Sequence, residues 1–125
     1  MKSNSRTRLA KPTRVLNRRV TRRKIAQVTQ RIAEQFHPKK IILFGSYAYG
    51  RPHRDSDVDF LIVMNTKLRE RAQRFEISRA LYPRPFPMDI LIETPQSLRH
   101  RLAIGDPFLR EIVARGRVLY ERTGR

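Results

Sequence analysis

Between Thr21 and Phe36 the apolar residues Ile25, Val28, Ile32, Ala33 and Phe36 fall three and four apart, which puts them on one stripe of an α-helix. His37-Pro38 closes the pattern, because the residue before a proline avoids helical backbone. The period then changes. Lys39 to Phe44, Asp57 to Met64 and Pro87 to Ile92 are short, dense apolar runs that read as strands, with the polar segment Arg51 to Asp55, His53 among it, as an exposed loop. A second helix is predicted from Thr66 to Leu81, with Leu68, Ala72, Phe75 and Leu81 facing inward, followed by the proline-rich connector Tyr82 to Pro87. Thr94-Pro95 has the form of an N-cap followed by proline at the first helical position and opens a helix through Ala103. Gly105-Asp106-Pro107 repeats that form and opens a last helix to Ala114, and Arg117 to Glu121 makes a final short strand or extended tail. The expected fold class is α/β (α+β): a small mixed sheet covered by helices, without internal repeats.

Two of these strands carry chemistry at their ends. Gly45-Ser46 follows the run Ile41-Ile42-Leu43-Phe44, and Asp57-Val58-Asp59 leads into Phe60-Leu61-Ile62-Val63. The two-residue repeat of a strand projects Asp57 and Asp59 to one face. Two such charges about 5 Å apart, at an effective dielectric near 20, repel by about 3 kcal/mol. A divalent cation relieves that repulsion, or a proton forced onto one member does. The Gly-Ser turn could offer backbone N–H groups to a phosphate. Asp-x-Asp alone is weak, since aspartate commonly caps helices and starts turns, and Gly-Ser alone is weaker. Their combination at the ends of successive apolar runs is far more specific and reads as a metal-and-nucleotide site. A third acid, Asp89, sits inside the run Met88 to Ile92 with Leu91 on its own face and Met88, Ile90 and Ile92 on the other. A lone aspartate in a buried strand is expensive. It needs either a metal shared with Asp57 and Asp59, or backbone N–H groups and an arginine at a strand edge.

The run Gly45-Ser46-Tyr47-Ala48-Tyr49-Gly50 followed by Ser56-Asp57-Val58-Asp59 resembles the signature of the DNA polymerase β-like nucleotidyltransferase superfamily, and is closest to its small stand-alone members, the minimal nucleotidyltransferases. The resemblance covers most of residues 21–121 and includes the terminal Gly116-Arg117-Val118-Leu119-Tyr120-Glu121. It implies a polymerase β-like nucleotidyltransferase fold and assigns roles. Asp57 and Asp59 would hold two magnesium ions (Mg2+) and the nucleotide triphosphate; Asp89 would bind the catalytic metal and help activate the attacking hydroxyl; Gly45 and Ser46 would contact the phosphates. Many relatives carry arginine where this chain has Tyr49, which removes one expected phosphate contact and leaves the carboxylates untouched.

Composition sets the surroundings. A chain of 125 residues is one modest core by length. It has no cysteine, so disulfides and thiolate metal sites are excluded and a reducing cytoplasm is the expected location. Its apolar runs fall short of the roughly 20 residues of a membrane helix, and the basic N-terminus lacks the apolar stretch of a secretory signal. The net charge is +17 and unevenly spread. No acidic residue precedes Glu34, and residues 2 to 24 hold Lys2, Arg6, Arg8, Lys11, Arg14, Arg18, Arg19, Arg22, Arg23 and Lys24. Residues 1–19 are expected to be a disordered basic tail that attracts polyanions, and residues 20–125 the nucleotidyltransferase domain. The tail has no aromatic residue, the first being Phe36, so it lacks the stacking platform of a single-strand binder.

Larger members of the superfamily add domains that bind the acceptor, for which this chain has no room. The resemblance therefore implies a protein partner: a helical HEPN-domain protein encoded beside it, the two forming a hetero-oligomeric toxin–antitoxin system in which the nucleotidyltransferase neutralises the toxin, in some systems by transferring AMP from ATP to one of its tyrosines. Two alternatives stand beside this reading. The chain could mask a toxin by contact alone, against which the acidic triad argues. It could instead direct transfer to a nucleic acid recruited by its basic tail.

Overall fold

The computed structural model describes residues 19–123, so the tail expected over residues 1–19 lies outside the described residues except for Arg19. The first helix, α1 (Arg22–Phe36), starts where Thr21 Oγ1 accepts a hydrogen bond from the Lys24 backbone N–H at 3.1 Å, relieving one of the unpaired donors of a helix start. It stops at His37, whose left-handed backbone (φ 50) returns its N–H to the Ala33 carbonyl. The remaining elements are β1 (Lys40–Phe44), the single turn α2 (Ser46–Tyr49), β2 (Val58–Val63), α3 (Glu70–Ala80), β3 (Met88–Glu93), α4 (Pro95–Ala103), α5 (Pro107–Arg115) and β4 (Arg117–Glu121). Both predicted caps form: Thr94 Oγ1 accepts from Ser97 N–H, and Asp106 Oδ1 from Phe108 and Leu109 N–H.

The four strands make one mixed sheet in the order β3-β2-β1-β4. The β1 strand runs antiparallel to β2 and β4, whereas β2 and β3 are parallel. The terminal segment left open between strand and tail is thus a strand. Alternation splits the apolar residues between two layers. Ile41, Leu43, Phe60, Ile62, Ile90 and Ile92 pack with Ile25, Val28 and Ile32 of α1 and Ile77 of α3. On the opposite face Ile42, Phe44, Leu61 and Val63 meet Leu109 and Ile112 of α5. Cover on both faces explains why these strands read as unbroken apolar runs.

The structure corrects one helix. The segment predicted as helical from Thr66 begins only at Glu70, and its inward side is different. Leu68 and Phe75 are 49% and 62% exposed, Ala72 is exposed as well, and the residues facing the core are Gln73, Ile77 and Leu81. Gln73 can be buried because its side-chain oxygen accepts a 2.6 Å hydrogen bond from Thr66 Oγ1, which removes the penalty for an unpaired amide. The strands also start one residue later than read, at Lys40 and Val58. Among the described residues no helix is long and apolar enough to cross a membrane.

Candidate active site

The site forms where β1 ends and β2 and β3 begin. The parallel register pairs Asp59 with Asp89 directly, and the antiparallel register pairs Asp59 with Phe44 on its other side. Two carboxylates therefore stand on neighbouring strands, on the sheet face of Leu61 and Leu91; Asp59 is half-buried, whereas Asp89, expected inside a buried strand, is exposed on the edge strand β3 and is spared that burial cost. Together with Phe44, Arg74, Ile90, Leu91 and Phe108 they line a cavity of about 190 Å3. Phe108, delivered by the first turn of α5, meets Phe44 edge to face at 5.8 Å between ring centres, the geometry that aromatic quadrupoles favour. These rings form the apolar wall of an acidic cavity.

Gly45 completes the enclosure. It precedes α2 with φ 74 and ψ −156, a backbone region open in practice to glycine alone. A β-carbon at this position would collide with Oδ2 of Asp59. Both the conformation and the space reserve the position for glycine, and the absent side chain lets Gly45 lie against the carboxylate. Tyr49, at the end of the same turn, lies under the guanidinium of Arg115, 4.5 Å from its ring centre. The cation that the motif lacks at position 49 is thus present nearby, on α5, in contact with the tyrosine that replaces it.

Charge is unbalanced here. Burial pushes the Asp59 carboxyl up to about 6, with further contributions from the negative charges of Asp89 and then Asp57. Both effects disfavour the ionised form. Asp57 is exposed and lies one residue before β2. It acts on Asp59 but does not line the cavity. Among the described residues no three His, Cys, Asp or Glu side chains are gathered closely enough to hold a metal ion as they stand. Asp59 and Asp89 are neighbours already, and a cation would have to draw Asp57 in. The donor set is nevertheless of the right kind, since carboxylate oxygens suit magnesium and a dication would offset the repulsion that raises Asp59.

Reading the sequence singled out Gly45, Ser46, Asp57, Asp59 and Asp89. It did not find Phe44, Arg74 or Phe108 at the cavity. Phe44 looked like one more strand residue, Arg74 was one among many arginines, and nothing local to Phe108 shows that α5 folds back onto β1. A larger cavity, of about 800 Å3, lies elsewhere, between α1, Tyr47 and β4. None of the three aspartates lines it.

The sequence model of the nucleotidyltransferase domain family matches residues 23–120. No curated protein sequence matches. Among solved structures, the fold is similar to a candidate nucleotidyltransferase from Sulfolobus solfataricus, with a TM-score of 0.57 and 16% identity over 80% of this chain and 79% of that one. It is also similar to a chain of the toxin–antitoxin MntA-HpeT mutant, with a TM-score of 0.54 and 20% identity over 78% of this chain and 73% of the other. At these identities the likeness speaks for the fold.

Proposed function

The chain belongs to the nucleotidyltransferase domain family, and we propose that it is a metal-dependent enzyme that moves a nucleoside monophosphate, AMP from ATP, onto a protein hydroxyl, acting as the antitoxin of a HEPN-type toxin. The observation that carries the catalytic part is the pairing of Asp59 with Asp89 across the parallel strands, beside a glycine whose missing side chain leaves room for Asp59. Magnesium, when bound, supplies charge neutralisation at the attacking and leaving oxygens. Asp57 and Asp59 would hold it together with the triphosphate, and backbone N–H groups of Gly45 and Ser46 would contact the phosphates. Asp89 would share the metal and accept the proton of the attacking hydroxyl. The hydroxyl oxygen forms a bond to the α-phosphorus as the bond to the pyrophosphate oxygen breaks. Positioning and electrostatics do the rest.

The likeness to a member of a toxin–antitoxin pair supports the antitoxin role, and the family resemblance supplies the acceptor. The test is transfer of label from α-labelled ATP to a HEPN-domain toxin offered as partner. Label should enter the partner with magnesium and not in EDTA, and Asp59→Asn should abolish it. Neutralisation of the toxin by that variant without transfer would establish masking by contact instead. One observation favours a second reading, transfer directed at a nucleic acid: Arg71, Arg74 and Arg84 are among the residues that line the pocket beside Asp89.

A further inference from the structure

Beyond the edge strand β3, a pocket of about 350 Å3 is lined by Arg71, Arg74, Phe75, Ser78, Arg84 and Asp89 along with strand residues. It adjoins the acidic cavity, since Arg74, Asp89 and Ile90 line both. Its volume lies within the roughly 300–1,000 Å3 of small-ligand sites. Residues 71, 74, 75 and 78 are spaced three and four apart on α3, so one helical face supplies the wall. The opposite face, Gln73 and Ile77, is in the core.

Two features of this pocket remain unexplained by folding. Among the described residues neither Arg71 nor Arg84 has an ion-pair partner, and that of Arg74 is the exposed Glu70 at 3.2 Å. Three arginines against the one lining acid Asp89 and the exposed Glu70 leave an excess of positive charge that favours an anion, and their planar donor forks suit phosphate oxygens. Phe75 presents a phenyl ring that is 62% exposed, in a chain that keeps Phe60 and Phe86 fully buried. A flat apolar face set among cations beside a carboxylate calls for a ligand with an anionic group, a planar ring and a hydroxyl to present to Asp89.

We propose that this pocket is a subsite for one nucleotide unit at the end of a single-stranded polynucleotide, with its base stacked on Phe75 and its phosphates on Arg71, Arg74 and Arg84. The ribose hydroxyl then lies on the Asp89 side, across the carboxylates from Gly45 and Ser46. A polynucleotide end combines all three chemical features in one unit, whereas an acidic peptide supplies the charge and not the ring. Stacking of this kind is tolerant of sequence, and the protein's net charge of +17 raises the local concentration of any polyanion. Binding at this subsite does not depend on the transferase reading; only the transfer arm of the test rests on it, in its second, nucleic-acid-directed form.

The test is fluorescence anisotropy of a short labelled single-stranded RNA with the full chain. Phe75→Ala, which changes no charge, should weaken binding about tenfold, and Phe75→Tyr should restore it. Arg71→Ala and Arg84→Ala should each weaken binding comparably and reduce the salt dependence by about one counterion. Arg79→Ala and Arg99→Ala, outside the pocket, should have much smaller effects. If Phe75→Ala binds as wild type does, or if the pocket arginines matter no more than Arg79 and Arg99, the subsite is overturned in favour of diffuse attraction. Competition by poly-L-glutamate as effective as that by unlabelled RNA would also overturn it, by showing that charge alone is read. Asp59→Asn should keep RNA affinity and lose transfer of label from ATP to the RNA end. Wild-type RNA binding with the expected variant pattern, but with no magnesium-dependent ATP binding, would uphold the subsite and defeat only the transferase reading.

Discussion

The β-carbon that Gly45 lacks would occupy the space of the Asp59 carboxylate. The loop that follows β1 and the acid that opens β2 are therefore fitted to each other, and neither can change alone.

Gly45→Ala should then do two kinds of damage. Forcing alanine into a backbone with φ 74 and ψ −156 costs about 1–3 kcal/mol, and the new methyl displaces Asp59. A thermal melt should show a lower midpoint, and calorimetry should show loss of magnesium-dependent ATP binding. Unchanged ATP affinity in the Gly45→Ala protein would separate the loop from the carboxylate.

Metal dependence can be read without any acceptor. ATP should bind measurably only in the presence of magnesium or manganese, and Asp57→Asn and Asp59→Asn should each weaken that binding at least tenfold, because each removes a negative charge from the metal. Equal ATP affinity in EDTA and in magnesium, by calorimetry, would rule out a metal site at these residues.

The metal-free protein should gain stability on mild acidification. Asp59 titrates near 6 in the fold against 3.8 as a free side chain, so between those values the folded state binds more protons than the unfolded one. Stability from this group is present below pH 3.8 and is lost as pH rises through 6. The melting temperature without metal should rise from about pH 7 to about pH 5 more for wild type than for Asp59→Asn, and magnesium should reduce the difference. Identical slopes for the two proteins would show that Asp59 is not held away from its ordinary value.

Glu93 offers a test of the scaffold away from the site. It is buried at the end of β3, accepts 2.6 Å and 2.7 Å hydrogen bonds from Arg101 Nη1 and Ser97 Oγ, and Arg101 also binds Asp106 through Nε and Nη2. Arg101→Ala removes a charged donor from a buried carboxylate, which costs about 1.5–3 kcal/mol. Urea denaturation should show a lower midpoint with an unchanged slope. Unchanged stability would mean that water replaces the guanidinium at no cost.

Much of this architecture is written in local pattern. The change from the three-and-four spacing at Ile25, Val28 and Ile32 to the dense runs at Ile41 and Phe60 separates helix from strand, and Thr94-Pro95 and Asp106-Pro107 mark their helices unaided. The Gly45-Ser46 and Asp57-Val58-Asp59 spacing places loop and acids together because a single antiparallel pairing joins their strands. The third helix misled for a physical reason. Leu68, Ala72 and Phe75 form a plausible apolar stripe, but a buried glutamine satisfied by Thr66 and the pairing of Ile77 with Leu81 claim the core side. Phe108 and Glu93 owe their roles to contacts between elements distant in the chain, which no local spacing records.

The parallel register that sets Asp59 beside Asp89 also sets Phe60 beside Ile90 and Ile62 beside Ile92, all buried. Sliding β3 by one residue would turn Asp89 into the core and set an apolar side chain beside Asp59 in its place. The pairing of Asp59 with Asp89 is therefore settled while the chain folds, whereas the position of Asp57 is left for a ligand to settle. A substitution that loosens the β2–β3 pairing should reduce the number of competent molecules and leave the turnover of each survivor intact, so its defect would be met as low abundance and not as slow chemistry.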